Sequence, residues 1–154
     1  MLYGAAARVL PQITFWRIIA TATHLTLEMS ALPKSHAAPQ AGPTLAKAVT
    51  RAAELLGLNQ SSLGDALGMS RATASRLVAG VYVLDPSRRK EWELALLFVR
   101  VFRSLDAILG HGDQARKWMT GPNLALGGRP ADLVRTAEGL VRTVQYLDAS
   151  RGRI

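Results

Sequence analysis

A run of cationic and hydroxyl side chains between residues 70 and 76 has the chemistry to read DNA. It consists of Ser70, Arg71, Thr73, Ser75 and Arg76. Arginine can bind guanine through two hydrogen bonds, while serine and threonine can contact base edges or phosphate. On a helix that begins after Ser70, these residues would share the outer face and the N-terminal end, which enters a major groove. The spacing therefore predicts a DNA-recognition helix.

The flanking residues supply the elements that such a recognition helix needs. Residues 60–67 have the length of a short first helix, and residues 71–79 have the length of a second. Between them, Gly68 can adopt the left-handed backbone of a tight turn. Ser70 is a favourable N-cap for the second helix, and Gly80 stands where that helix should stop. The pattern predicts a helix-turn-helix.

The sequence also indicates how the two helices would pack. Gly64 is small where the helices must approach closely, and Ala74 and Leu77 would face the first helix. A helical hairpin buried in a core is the alternative, because glycine turns occur there too. The combination of turn, cap and outward arginines favours DNA binding. Gln60, at the start of the first helix, completes the predicted set of DNA-binding residues.

The composition agrees with a polyanionic partner. The chain has 154 residues, a formal net charge of +8 and a sequence pI of about 10.8. Residues 44–90 carry seven basic and three acidic side chains, the largest local excess of positive charge. The chain has no cysteine, which excludes disulfides and thiolate metal sites. This agrees with a reducing cytoplasm, where we expect the protein to act.

The first 43 residues differ in composition from the rest. Residues 1–28 are mostly apolar but are interrupted by Pro11 and Arg17, so no stretch is long enough to span a bilayer. They lack the order of a signal peptide and have few basic residues for a membrane-surface helix. We favour a true start at Met29, with the upstream residues from an over-extended reading frame. Residues 30–43, rich in alanine, proline and serine, are predicted to be a linker. We expect no membrane association.

Helical periodicity continues from residue 44 to the end of the chain and predicts an all-α fold. We divide this part into a helix-turn-helix DNA-binding domain at residues 44–84 and a small helical domain at residues 85–154. A long helix at about residues 87–109 carries an apolar stripe suited to core or dimer packing. The stripe consists of Trp92, Ala95, Phe98, Val99, Phe102, Leu105 and Leu109. Predicted helices also begin at Thr44, Asp113, Pro130 and Thr136, with the first ending at Gly57 and the last at Leu147.

Two motifs in this order resemble a known family. The helix-turn-helix is similar to the Xre/Cro type. Residues 115–119 (ARKWM), 123–134 (NLALGGRPADLV) and 136–139 (TAEG) resemble the C-terminal toxin-binding domain of Xre/MbcA/ParS antitoxins. The resemblance covers residues 44–154. It implies an antitoxin that binds a RES-domain toxin, an enzyme that destroys NAD, and that represses its own operon. We expect a homodimer within a hetero-oligomeric toxin–antitoxin complex on operator DNA.

The end of the chain is predicted to silence the toxin, because the resemblance implies that this region occludes the toxin's active site. The predicted plug is Arg151, Gly152, Arg153 and Ile154. After a last helix ending at Leu147, its guanidinium groups and terminal carboxylate could enter a cleft built for an anionic dinucleotide. An apolar face around Tyr146 and Leu147 would dock the toxin. The alternative is a frayed terminus without a role.

An enzyme is the main alternative from another functional class, and the sequence gives it little support. His24, His36 and His111 are scattered, without the spacing of a metal site. Glu91 and Glu93 are explained by a favourable interaction with a helix dipole. We therefore expect no catalytic residue, no metal and no cofactor. A stand-alone phage-type repressor without a toxin partner is the closer alternative, and a neighbouring toxin gene would discriminate against it.

Overall fold

The computed structural model describes the backbone of residues 38–151 and the side chains of residues 41–151. The predictions for residues 1–37, and for Gly152, Arg153 and Ile154, lie outside this range. Within it the chain forms helices and no β-strand, so the predicted all-α fold is confirmed. The helices are α1 (Ala38–Leu56), α2 (Gln60–Leu67), α3 (Arg71–Val78), α4 (Arg89–Leu109), α5 (Asp113–Thr120), α6 (Pro130–Leu133) and α7 (Ala137–Arg151). None of them is long and apolar enough to cross a membrane.

Helix α1 begins six residues before the predicted start at Thr44, and Pro43 lies inside it. A proline inside a helix removes one backbone hydrogen bond, which is why the sequence pattern favoured a later start. Tertiary contacts explain the earlier start. Gly42 is buried against the Leu84 carbonyl and the Val83 side chain, with no room for a Cβ atom. This first part of α1 is therefore held by a segment some forty residues away.

The helices share one hydrophobic core, and α4 lies at its centre. Phe98 of α4 is fully buried, and α4 packs against α1, α2 and α7. The predicted apolar stripe is only partly correct. Ala95, Phe98 and Leu105 are buried, but Leu94 and Val101 are buried beside them. Trp92, Val99 and Phe102 are half-buried, and Leu109 is 41% exposed. The buried face is rotated relative to the predicted stripe, because helices pack against α4 from more than one side.

Helix α4 begins at Arg89, two residues after the predicted start. The Asp85 carboxylate accepts a hydrogen bond of 2.8 Å from the backbone N–H of Ser87. This bond forms a local turn that competes with the helix. The same N–H lowers the pKa of the Asp85 carboxyl below its ordinary value.

Helix α7 is longer than predicted and ends at Arg151, not at Leu147. Asp148 holds the additional turn against α4. Its carboxylate accepts hydrogen bonds from Arg100 Nη2 at 2.5 Å and from Ser104 Oγ at 2.9 Å. Arg151 is therefore the last residue of a packed helix, and the prediction that it follows the helix as free chain was wrong. At the other end, Thr136 caps α7 by accepting a hydrogen bond from the N–H of Gly139.

Candidate nucleic-acid and partner interfaces

Helices α2 and α3 form the predicted helix-turn-helix, and each local signal has its expected geometry. Asn59 caps α2, and Gly68 follows it with a φ angle of 66° in the left-handed region. Ser70 caps α3 by accepting a hydrogen bond of 3.2 Å from the N–H of Thr73. Gly80 follows the C-cap of α3 with a φ angle of 74°, so the chain turns away from the helix there. The local signals between Asn59 and Gly80 therefore define the helix-turn-helix.

The two helices cross at Gly64. A Cβ atom added to this buried glycine would lie 3.1 Å from the Cβ of Ala74, so the crossing has no room for a larger side chain. Ala74 and Leu77 of α3 are buried, as the sequence predicts, and Ala74 lies directly against Gly64 of α2. The N–H of Met69 donates to the Gly64 carbonyl at 2.8 Å and closes the turn. The inner face of α3 is therefore rigidly seated.

The outer face of α3 presents the predicted cations. Arg71, Ser75 and Arg76 are exposed, and neither arginine forms an ion pair with another described residue. The hydroxyls of Ser70 and Thr73 lie 2.9 Å apart and are engaged in the cap. Their first role is therefore structural. The guanidinium groups and Ser75 are the atoms of α3 best placed to meet bases and phosphates.

Gln60 lies at the start of α2 rather than on α3, and its side chain is exposed. The predicted DNA-binding residues therefore come from both helices of the motif. In helix-turn-helix proteins the first helix crosses the DNA backbone while the second enters the groove. The position of Gln60 is suited to a contact with the DNA backbone, and the positions of the α3 residues are suited to contacts in the major groove.

Tyr82 anchors the segment that leaves α3 to the start of α4, a contact that the sequence did not indicate. Its hydroxyl donates to Glu91 Oε2 at 2.6 Å, and the Arg88 guanidinium lies 5.9 Å from the centre of its ring. Burial and the Glu91 carboxylate raise the pKa of the Tyr82 hydroxyl. Glu91 therefore does more than interact with a helix dipole, because it also holds the segment that leaves α3.

An ion pair joins the helix-turn-helix to the C-terminal helices. Nε and Nη2 of Arg135 donate to Asp65 Oδ2 of α2 at 3.0 and 2.8 Å. Both side chains are nearly half exposed, so the pair contributes at most about 1 kcal/mol. It orients α2 relative to the chain that leads into α7.

The predicted docking face on α7 is only partly accessible. Tyr146 is half-buried and its ring stacks on Trp118, with the ring centres 6.4 Å apart. Leu147 is 2% exposed and belongs to the core, so its side chain is not presented to a partner. The helical period predicts that Leu147 lies on an apolar face, but it does not show whether that face packs in the core or is open to a partner. Arg151 is exposed at the end of α7.

A short turn between α5 and α6 exposes another apolar side chain. Asn123 and Gly128 pair through their backbones, and Asn123 Oδ1 accepts the N–H of Leu126 at 3.1 Å. Gly127 has a φ angle of 71°. This tight turn holds Leu124 with 97% of its surface exposed. Leu124 lies within the motif at residues 123–134, but the sequence pattern indicates no role for its side chain.

Comparison with known proteins identifies the family. Residues 25–100 match the family described as the antitoxin Xre-like helix-turn-helix domain, and residues 104–153 match the antitoxin Xre/MbcA/ParS C-terminal toxin-binding domain. The mycobacterial cidal antitoxins MbcA of Mycobacterium tuberculosis H37Rv and Mycobacterium bovis are 39% identical to this chain over 106 residues. These residues are 68% of this chain and 89% of each relative. The chain belongs to the Xre/MbcA/ParS antitoxin family.

A solved structure of a family member is also similar. The crystal structure of the M. tuberculosis MbcT–MbcA toxin–antitoxin complex contains a chain with 35% identity and a TM-score of 0.49. The similarity covers 68% of this chain and 91% of that one. On the present chain, the match to the helix-turn-helix family begins at residue 25. It therefore includes residues 25–43, although their composition predicts an extension and a linker.

Proposed function

We propose that this antitoxin-family chain binds and neutralises a RES-type toxin that degrades NAD, and represses its own operon by binding operator DNA. It acts as a binding protein in the cytoplasm and needs no cofactor. A homodimer of the chain would place two recognition helices on a symmetric operator and would form part of a larger complex with the toxin. The observation that carries the proposal is the order of the two family matches along one chain that forms a single helical core.

The DNA-binding part of the proposal is supported by the geometry of α3. Arg71 is the first residue of the helix, at the end that meets base edges in this class of motif. Arg76 lies in its last turn. Both are exposed, and the charge of the surrounding sequence is positive. This combination suits a guanine-reading or phosphate-binding surface.

The toxin-binding part is supported by the match at residues 104–153 and by the MbcA relatives, which are antitoxins. The class of toxin rests on the family resemblance. We propose that the toxin docks on the surface that includes Tyr146, while Arg151 and the three residues after it enter the toxin's active site. Guanidinium groups suit this role because a site for NAD must accommodate a diphosphate. Leu147 supports this surface from the core.

Co-expression tests the proposal. The chain is co-expressed with the product of the adjacent reading frame and purified through an affinity tag on the chain alone. The molar mass of the eluted complex is then measured by light scattering after size-exclusion chromatography. We expect a stoichiometric complex of the two proteins whose mass contains at least two copies of the chain. Elution of the chain without a partner, together with intact operator binding, would contradict the antitoxin role and favour a stand-alone repressor.

A further inference from the structure

Helices α4 and α7 line a cleft that shares only Arg151 with the toxin contacts proposed so far. Its volume is about 640 Å³. One part of the lining is apolar and includes Leu96, which is 48% exposed, and the half-buried Val99. Arg100, Arg103 and Arg151 add three guanidinium groups. Apolar surface and unburied cations thus lie side by side on the outer face of the C-terminal helices.

The acidic side chains that line the cleft already have partners. Asp148 accepts hydrogen bonds from Arg100 and from the buried Ser104, and Asp106 lies 2.9 Å from His111 Nδ1. Neither Arg103 nor Arg151 forms an ion pair with any residue from 41 to 151. Because Arg151 belongs to the segment proposed to enter the toxin's active site, Arg103 is the guanidinium group available here to a carboxylate from another molecule, which it can bind through two hydrogen bonds.

We propose that this cleft receives an acidic segment of the toxin, with a carboxylate on Arg103 and an apolar side chain against Leu96 and Val99. The inference rests on the proposed function, and it names the surface and the chemistry of the partner that fits there. The cleft includes residues of the toxin-binding family match, which begins at Ser104 and contains Asp148 and Arg151. Arg100 and Asp148 pair with each other, while Arg103 is exposed beside them.

Charge and polarity favour this occupant over the alternatives. A second copy of the same cleft would bring unpaired arginines towards unpaired arginines, and like charges disfavour such an interface. A DNA backbone would use the guanidinium groups but would leave Leu96 without an apolar partner. An acidic protein segment satisfies both parts of the lining, with a buried apolar anchor beside a charged contact.

The test compares two matched double variants of the full chain. One carries Leu96→Ser and Arg103→Glu in the cleft. The control carries Leu109→Ser and Arg142→Glu, which change the same residue types at exposed positions outside the cleft. Circular dichroism melting first establishes that both are folded. Affinity for the toxin recovered from the co-expressed complex is then measured by calorimetry, and affinity for a random DNA duplex by fluorescence anisotropy.

We expect the cleft variant to bind the toxin about 30-fold more weakly or worse, since a desolvated charged contact is lost and reversed. The control should retain wild-type affinity, and DNA binding should be unchanged in both. If the wild-type chain binds the toxin and the cleft variant binds it equally well, the cleft inference is overturned while the antitoxin function stands. Weaker DNA binding or loss of self-association with intact toxin affinity would overturn it equally. A wild-type chain that captures no toxin would overturn the proposed function itself.

Discussion

We propose that Arg71 and Arg76 provide most of the DNA-binding chemistry, because the other polar side chains of α3 are partly committed to the fold. Ser70 and Thr73 share a hydroxyl contact of 2.9 Å within the N-cap. Arg76 Nε reaches only the Ala72 carbonyl at 3.4 Å, a weak contact that a phosphate or base could replace. The recognition surface thus depends mainly on two cations at the two ends of one short helix.

We therefore expect Arg71→Ala and Arg76→Ala to weaken operator binding. Loss of a base contact should cost about 1–3 kcal/mol and relax sequence preference, whereas loss of a phosphate contact should reduce the salt dependence and weaken all sequences alike. Fluorescence anisotropy at several salt concentrations, with the protein's own promoter and a scrambled duplex, separates the two cases. Arg142→Ala, which removes an exposed cation from α7, is the control. Unchanged affinity in both α3 variants would contradict the assignment.

At the scale of helices, the helix-turn-helix depends on one close crossing. Gly64→Leu should separate α2 from α3, because a Cβ atom alone would already be only 3.1 Å from Ala74. Overpacking of this kind costs about 1–3 kcal/mol. Ser61→Leu adds a similar side chain at an exposed position of the same helix and should have little effect. Urea denaturation measures both, and equal stability of the two variants would show that the crossing tolerates bulk.

The elements that the sequence predicted correctly are those stabilised by near neighbours. The bounds of α2, the Gly68 turn, the Ser70 cap and Pro130 at the start of α6 all follow from signals within a few residues. The errors concern long-range contacts. The early start of α1 depends on Leu84, and the extra turn of α7 depends on the contacts of Asp148 with α4. Neither contact leaves a local pattern.

The candidate sites divide in the same way. The outward position of Arg71 and Arg76 follows from the helical period once the inner face is known. The burial of Leu147 and the cleft beside Arg103 depend on how α4 and α7 pack. An amphipathic pattern shows that one face is buried, but α1, α2 and α7 together cover more than one face of α4. Sequence periodicity therefore could not reveal this surface.

In the described part of the molecule, α4 packs against both the helix-turn-helix and the C-terminal helices. Phe98 is fully buried in the shared core, so Phe98→Ala should destabilise the fold by about 3–5 kcal/mol. We expect one cooperative unfolding transition, seen alike by circular dichroism and tryptophan fluorescence. Leu109→Ala removes a similar apolar group at a 41% exposed site and should cost far less. Two separate transitions in the wild-type chain would contradict the shared core.

The proposed plug at residues 151–154 can be removed without changing the rest of the chain. Deleting residues 151–154 should leave complex formation largely intact, because docking uses the body of the helices. Growth arrest by the toxin should return, because its active site would be open. Growth curves of cells expressing the toxin with either form of the chain measure this. Full protection by the shortened chain would show that docking alone silences the toxin.

The cellular NAD level shows whether this chain neutralises an NAD-degrading toxin. NAD is quantified in cells after induction of the partner toxin, with and without co-expression of the full chain. We expect a steep fall of NAD with the toxin alone and a level close to that of uninduced cells when the chain is present. An equal fall of NAD in both cultures, with the chain expressed and folded, would contradict it.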